Sequence, residues 1–128
     1  MQLKDLKEAF ASMPGDEDKL CCLIELGDML PEMPEEERTE VNRIRGCSSQ
    51  VWIAGGEKNG RLEFKMASDA KIVRGLLFVL WTLFNGKTRE EIRAADAEGI
   101  LADLGILKLL SHQRQVGLKS ALERLGEF

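Results

Sequence analysis

Cys47 stands in the stretch Asn42-Arg43-Ile44-Arg45-Gly46-Cys47-Ser48-Ser49-Gln50-Val51-Trp52, between a basic flank and an apolar run with the composition of a strand. Gly46 permits a backbone angle or close approach that a Cβ forbids, and Ser48 and Ser49 favour a turn, so the order of residues places Cys47 at a loop tip. In thiol chemistry the nucleophile is the thiolate, and Arg43 and Arg45 are the nearby cations that lower a thiol pKa when they fold towards it. A fall from ~8.5 to ~7 raises the thiolate fraction near neutral pH from roughly a twentieth to more than half. Residue types alone leave two readings open here: a small buried hydrophobe that only packs, and a reactive nucleophile.

The rest of the chain bounds what such a thiol serves. The 128 residues predict a single domain, 1–128, that buries roughly two thirds of its unfolded surface in one core. Eighteen Lys and Arg are interspersed among 22 Asp and Glu for a net charge of -4, which argues against a nucleic-acid footprint and for protein or small-molecule partners. Three cysteines, two of them the adjacent Cys21 and Cys22, form no disulfide framework and fit a reducing compartment. The first residues carry charges where a signal peptide needs an apolar segment, and no apolar run approaches membrane-spanning length. A cytoplasmic protein with no membrane association is the expectation.

Periodicity then supplies the elements that hold the loop. Leu3 to Ala11 reads as an amphipathic helix through Leu3, Leu6 and Phe10, ending near Met13-Pro14-Gly15. Asp16 or Asp18 is the expected cap of a second helix, with Leu20, Leu23, Ile24, Gly27 and Leu30 at helical spacing until Pro31 stops it. Cys21 and Cys22 lie on that helix about 100° apart, so they do not chelate a metal as a pair and packing is their expected role. Pro34 to Arg38 reads as a helical turn with proline at its first position.

Val41–Ile44 and Val51–Ala54 read as strands entering and leaving the loop, Gly55-Gly56 and Asn59-Gly60 as the turn, and Arg61–Met66 as a third strand with one wet face. Ser68 or Asp69 is the expected cap of the longest helix, Ala70 to Phe84, whose wide apolar face must pack on the sheet. Thr88 and Glu91 form a capping box, Asp96 caps a further short helix that Gly105 ends, and Ser111 caps a last helix with the stripe Leu118, Ala121, Leu122 and Leu125. Arg114 falls in the first turn of that helix, where the dipole mildly disfavours a cation. His112, with no paired acid in view, reads as a surface residue. The fold class is α+β, with a small antiparallel three-stranded sheet packed on helices.

The loop string resembles the signature of the SufE/CsdE family of sulfur acceptors, a pattern like N-x-x-x-G-C-x-S-Q-V-W, which Asn42, Gly46, Cys47, Ser49, Gln50, Val51 and Trp52 all match. The likeness continues through Ile24-Glu25-Leu26-Gly27, Leu30-Pro31 and Ser68-Asp69-Ala70-Lys71-Ile72-Val73-Arg74-Gly75-Leu76, and through Leu110-Ser111, Arg114 and Gly117-Leu118 near the C-terminus. Leu109, His112 and Val116 depart from the family pattern, which has histidine, proline and asparagine there.

The resemblance implies a SufE/IscU-like sulfur-acceptor fold with Cys47 as the catalytic thiol and Arg45, Gly46, Ser49, Gln50 and Trp52 supporting the loop. It also implies that Arg114 and Asp69 contact the partner. That partner is expected to be a SufS/CsdA-type cysteine desulfurase, which owns the pyridoxal phosphate, so that no cofactor or metal belongs to this chain. The sulfur is expected to pass to a SufBCD-type scaffold or another acceptor, from a monomer or weak homodimer. At rest the thiol is expected to turn inward, and outward on the partner, as members of the resembled family do.

Other classes fit less well. A cluster scaffold needs several converging ligands, and a thiol redox enzyme needs a resolving cysteine near Cys47. A regulatory module that stimulates the desulfurase by docking alone is the serious rival.

Overall fold

The amphipathic pattern at the N-terminus folds as read: α1, Leu3–Ala11, buries Leu6 and Phe10 in the computed structural model, which describes all residues from Met1 to Phe128. α2, Asp16–Gly27, is capped by Gly15, not by Asp16 or Asp18. Its acids occupy the first turn instead, where they face the positive end of the helix dipole. α2 also ends before Pro31, with Met29 N–H bonding the Leu26 carbonyl and Leu30 N–H bonding that of Gly27. The residue before a proline is disfavoured in the helical region, so the final turn tightens and unwinds ahead of it. Pro34 caps a 3-10 turn, Glu35–Glu37, and does not occupy its first position.

Two strands form the sheet. β1, Val51–Lys58, pairs antiparallel with β2, Arg61–Ser68, in a register that opposes Val51 to Ser68 and Lys58 to Arg61. The turn between them is Asn59-Gly60, both at positive φ, 54° and 77°, as a two-residue hairpin of matching twist requires. Gly55-Gly56 is therefore strand and not turn. Gly55 is there because the Phe128 ring covers it, and a Cβ would come within 2.8 Å of that ring. β2 keeps the expected alternation, with Leu62, Phe64 and Met66 buried and Arg61, Glu63 and Lys65 exposed.

The expected third strand is absent as a strand. Arg43 makes an isolated bridge with Trp52, supported by Ile44 N–H to Val51 O at 2.8 Å and Ile53 N–H to Asn42 O at 2.9 Å. Extended pairing stops there, because Asn42 N–H already closes a turn onto Thr39 O and Gly46 turns the chain away at φ 84°. The outer edge of β2 is closed by other groups. Leu62 bridges Lys87, the Asn85 side chain accepts Phe64 N–H at 2.7 Å, and Trp81 Nε1 donates to Phe64 O at 3.0 Å.

α3, Lys71–Phe84, lies between β2 and α2 and buries an unbroken run from Gly75 to Leu80. Its N-cap is Ala70, not Ser68 or Asp69; the Ser68 hydroxyl accepts Ala70 N–H at 3.2 Å, while Asp69 is engaged by the cysteine loop. α4, Arg89–Ala94, has the Thr88/Glu91 capping box, and α5, Ala97–Asp103, the Asp96 cap, with Gly105 at φ 74° beyond it. α6, His112–Glu127, starts at Ser111, whose hydroxyl accepts Arg114 N–H, and it buries Gly117, Leu118, Ala121 and Leu125. All six helices and both strands feed one contiguous core. Fully burying a residue such as Ile53 or Leu101 within it stabilises the fold by about 1.5–3 kcal/mol. No helix is long and apolar enough to cross a membrane.

Candidate functional site

The cysteine loop, residues 45–50, bridges the pairing at Ile44–Val51 and lies over the middle of α6. Two contacts set its depth. A Cβ on Gly46 would fall 2.9 Å from Ser120 Oγ, and the positive φ of Gly46 makes the turn that carries Cys47 down beside it. Cys47 then points inward and donates its S–H to the carbonyl of Gly117 at 3.6 Å. Ser120 and Gly117, being three apart, share one face of α6.

Beneath the sulfur is an apolar cavity of about 40 Å³. Val73, Leu76, Leu77 and Leu80 line it from one face of α3, and Leu118 and Ala121 line it from α6. The helical periodicity that builds the core thus also builds the thiol's surroundings. Ser48, Ser49 and Arg114 stand around the same cavity.

The thiol is half-buried, and its electrostatics follow from that. Burial pushes the Cys47 pKa above its ordinary value, and the Arg43 guanidinium opposes this with the smaller effect. The thiolate-favouring shift read from the basic flank is therefore not the condition of the inward state; desolvation outweighs the cation. Arg45 contributes no such pull, because its side chain is 80 % exposed and turned to Glu40 at 3.5 Å. Glu40 also draws on Arg43, at 3.7 Å.

The remaining residues singled out in the sequence fall into two groups. Gln50 supports the loop through its backbone N–H, which Asp69 accepts at 3.0 Å. Trp52 is half-buried, bridged to Arg43 and covered by the Arg38 guanidinium 5.9 Å from the ring centre. Arg114 is half-buried at the cavity, while His112 is exposed at the start of α6. Val116 is 41 % exposed on α6, and Leu109 is half-buried in the turn before it.

Cys21 and Cys22 remain on α2, away from the cavity. Cys21 is exposed, contrary to the packing role expected of it, and Cys22 packs half-buried against the core. In the sequence Gly117 stands out only as part of a family pattern, and Ser120 not at all. One signal was present for Gly117: a glycine inside the apolar stripe of a helix, where alanine is the better helix former.

Fold and site define a small α+β protein that carries one half-buried loop cysteine over an apolar cavity between two helices. A family model described as SufE, Fe-S metabolism associated domain, matches residues 4–128, and the chain belongs to the SufE family. It is 41% identical over 127 residues to an uncharacterized SufE-like protein of Rhizobium meliloti (strain 1021), covering 96% of this chain and 91% of that one. To the sulfur acceptor protein CsdE of Escherichia coli (strain K12) it is 37% identical over 121 residues, covering 94% and 82%. The solution structure of a hypothetical protein from Thermus thermophilus superposes with a TM-score of 0.78 at 23% identity, covering 98% of this chain and 90% of that one, a likeness of fold.

Proposed function

We propose that this protein accepts sulfur from a pyridoxal-phosphate-dependent cysteine desulfurase onto Cys47, carries it as a persulfide, stimulates the desulfurase by removing its product, and delivers the sulfur to iron–sulfur cluster assembly. The observation that carries this reading is the Cys47 thiol itself, held on a loop against Gly117 over an apolar cavity in a chain of the SufE family. In the transfer, the Cys47 thiolate attacks the outer sulfur of the donor's persulfide. A new S–S bond forms at Cys47 as the donor's S–S bond breaks, and the donor leaves as a thiolate that takes up a proton. No net oxidation occurs, so the step needs no redox partner; it follows the rules of thiol–disulfide exchange, in which thiolate fraction and access set the rate.

The inward position suits storage and the outward one suits attack. Burial that keeps the thiol protonated also shelters a carried sulfur from competing thiols, and docking that draws the loop out removes the desolvation while leaving Arg43 beside it. With the outward state a few per cent populated in the free protein, alkylation runs about thirty-fold slower than for an unshielded thiol of equal pKa. Incubation with a desulfurase and cysteine, followed by intact-mass spectrometry, tests the reading. One added sulfur per chain, mapped to Cys47, is the expected result. Stimulation of the desulfurase by a Cys47→Ser variant, with no sulfur gained by the wild type, would instead establish a module that acts by docking alone.

A further inference from the structure

We infer that Gly117 is the positioning residue that stores the Cys47 thiol, by lacking a Cβ where the sulfur rests and by offering its carbonyl as the acceptor. The inference deepens the sulfur-acceptor reading above and rests on it for its biological meaning, but its geometry stands alone. Gly117 is buried in the interior of α6 with a negative φ, so no backbone requirement explains a glycine there. Helix propensity favours alanine at such a position. Space explains it. A Cβ on Gly117 would lie 3.0 Å from Cys47 Sγ, yet at ordinary contact distances of 3.6 Å and 3.7 Å from the Cβ and Cα of Cys47. The conflict is with the sulfur alone.

The carbonyl adds chemical selectivity. It accepts the Cys47 S–H at 3.6 Å, and as an acceptor it welcomes a protonated thiol and repels a thiolate. A methyl at position 117 therefore takes part of the sulfur's volume and forces it to shift by a few tenths of an ångström against the acceptor. The tip of the loop is free to respond, since Gly46 and Ser48 on either side of Cys47 are exposed. The balance then shifts from the inward thiol towards the solvent side while the fold is kept. Position 117 thereby sets the balance between a sheltered and a presented thiol, one helical turn from Arg114 on the same face of α6.

Gly126 provides the control, because it is also helical in α6 and a Cβ there would meet nothing within 4 Å. In a Cys21→Ser, Cys22→Ser background, Gly117→Ala is expected to raise the rate of iodoacetamide labelling of Cys47 about ten-fold under native conditions. Gly126→Ala, the same chemical change one residue from the end of α6, is expected to leave that rate unchanged. A Gly117→Ala rate within two-fold of the parent overturns the inference, whatever the desulfurase assay shows. Should Gly117→Ala fold poorly, adding Cys47→Ala must restore the melting temperature to that of Cys47→Ala alone, since only the sulfur is in conflict; failure to restore it overturns the inference equally. Neither measurement uses a desulfurase, so a failed sulfur-loading experiment leaves this one readable.

Discussion

The carboxylate of Asp69 accepts the backbone N–H of Gln50 at 3.0 Å, tying the far side of the cysteine loop to the residues that begin α3. The Asp69 side chain thus serves the loop and not the N-terminus of α3, which is left with Ala70 as its cap. Loss of this bond frees the loop at one of its two ends. Asp69→Ala is expected to loosen it by about 1 kcal/mol, seen as a roughly five-fold faster alkylation of Cys47 and faster amide exchange at Gln50. Asp69→Asn keeps an oxygen acceptor in place and is expected to stay near the parental rate. Equal rates for the Ala variant and the wild type would leave Asp69 free for the partner contact alone.

Sulfur acceptance is expected to require Cys47 and no other cysteine. Radiolabelled sulfur from cysteine should appear on a Cys21→Ser, Cys22→Ser variant and be missing from Cys47→Ser. The double variant loses some stability through half-buried Cys22, and exposed Cys21 adds little to that loss. Normal labelling of Cys47→Ser would sink the relay.

A raised thiol pKa has a definite consequence for stability against pH. Burial keeps the proton on folded Cys47 at pH values where the unfolded chain has lost it. Stability from this source is whole below about pH 8.5 and declines as pH rises from there towards the higher folded value. Cys22 acts in the same direction, its pKa raised by burial and then by Glu25. Melting temperatures recorded across roughly pH 7 to 10 should therefore fall less steeply for Cys47→Ser and for Cys22→Ser than for the wild type. Alkylation of Cys47 should likewise titrate above the ordinary thiol value in the free protein and shift downward when a catalytically dead desulfurase is added. An unshifted profile on docking would count against exposure of the thiol by the partner.

Two arginines near the thiol are expected to do different things. Arg43 is the cation that acts on Cys47, so Arg43→Ala should raise the thiol pKa further and slow alkylation near neutral pH. Arg114 lines the same cavity without that effect, and Arg114→Ala should weaken calorimetric affinity for the desulfurase about ten-fold while moving the alkylation pKa little. A reversal of these two profiles would exchange their roles.

Local chemistry was enough to place the cysteine loop, most helices and three of the expected caps. Thr88, Asp96 and Ser111 cap where they do because a side-chain oxygen close in sequence reaches the orphan amides of the first turn. Loop chemistry likewise follows from neighbours, since Gly46 and the serines act on the residue beside them. Three matters lay beyond the sequence because they depend on residues far apart in it. The segment Val41–Ile44 remained a single bridge to β1 and not a strand, since turns at both its ends limit its pairing. Gly55 became strand and not turn because Phe128, from the opposite end of the chain, packs over it. The partner of the inward thiol was out of reach because the sulfur rests against Gly117, 70 residues away, where desolvation exceeds the pull of Arg43. Propensity and capping act over a few residues and are written in the sequence; burial is a property of what the folded chain brings alongside, and it decided the state of the thiol.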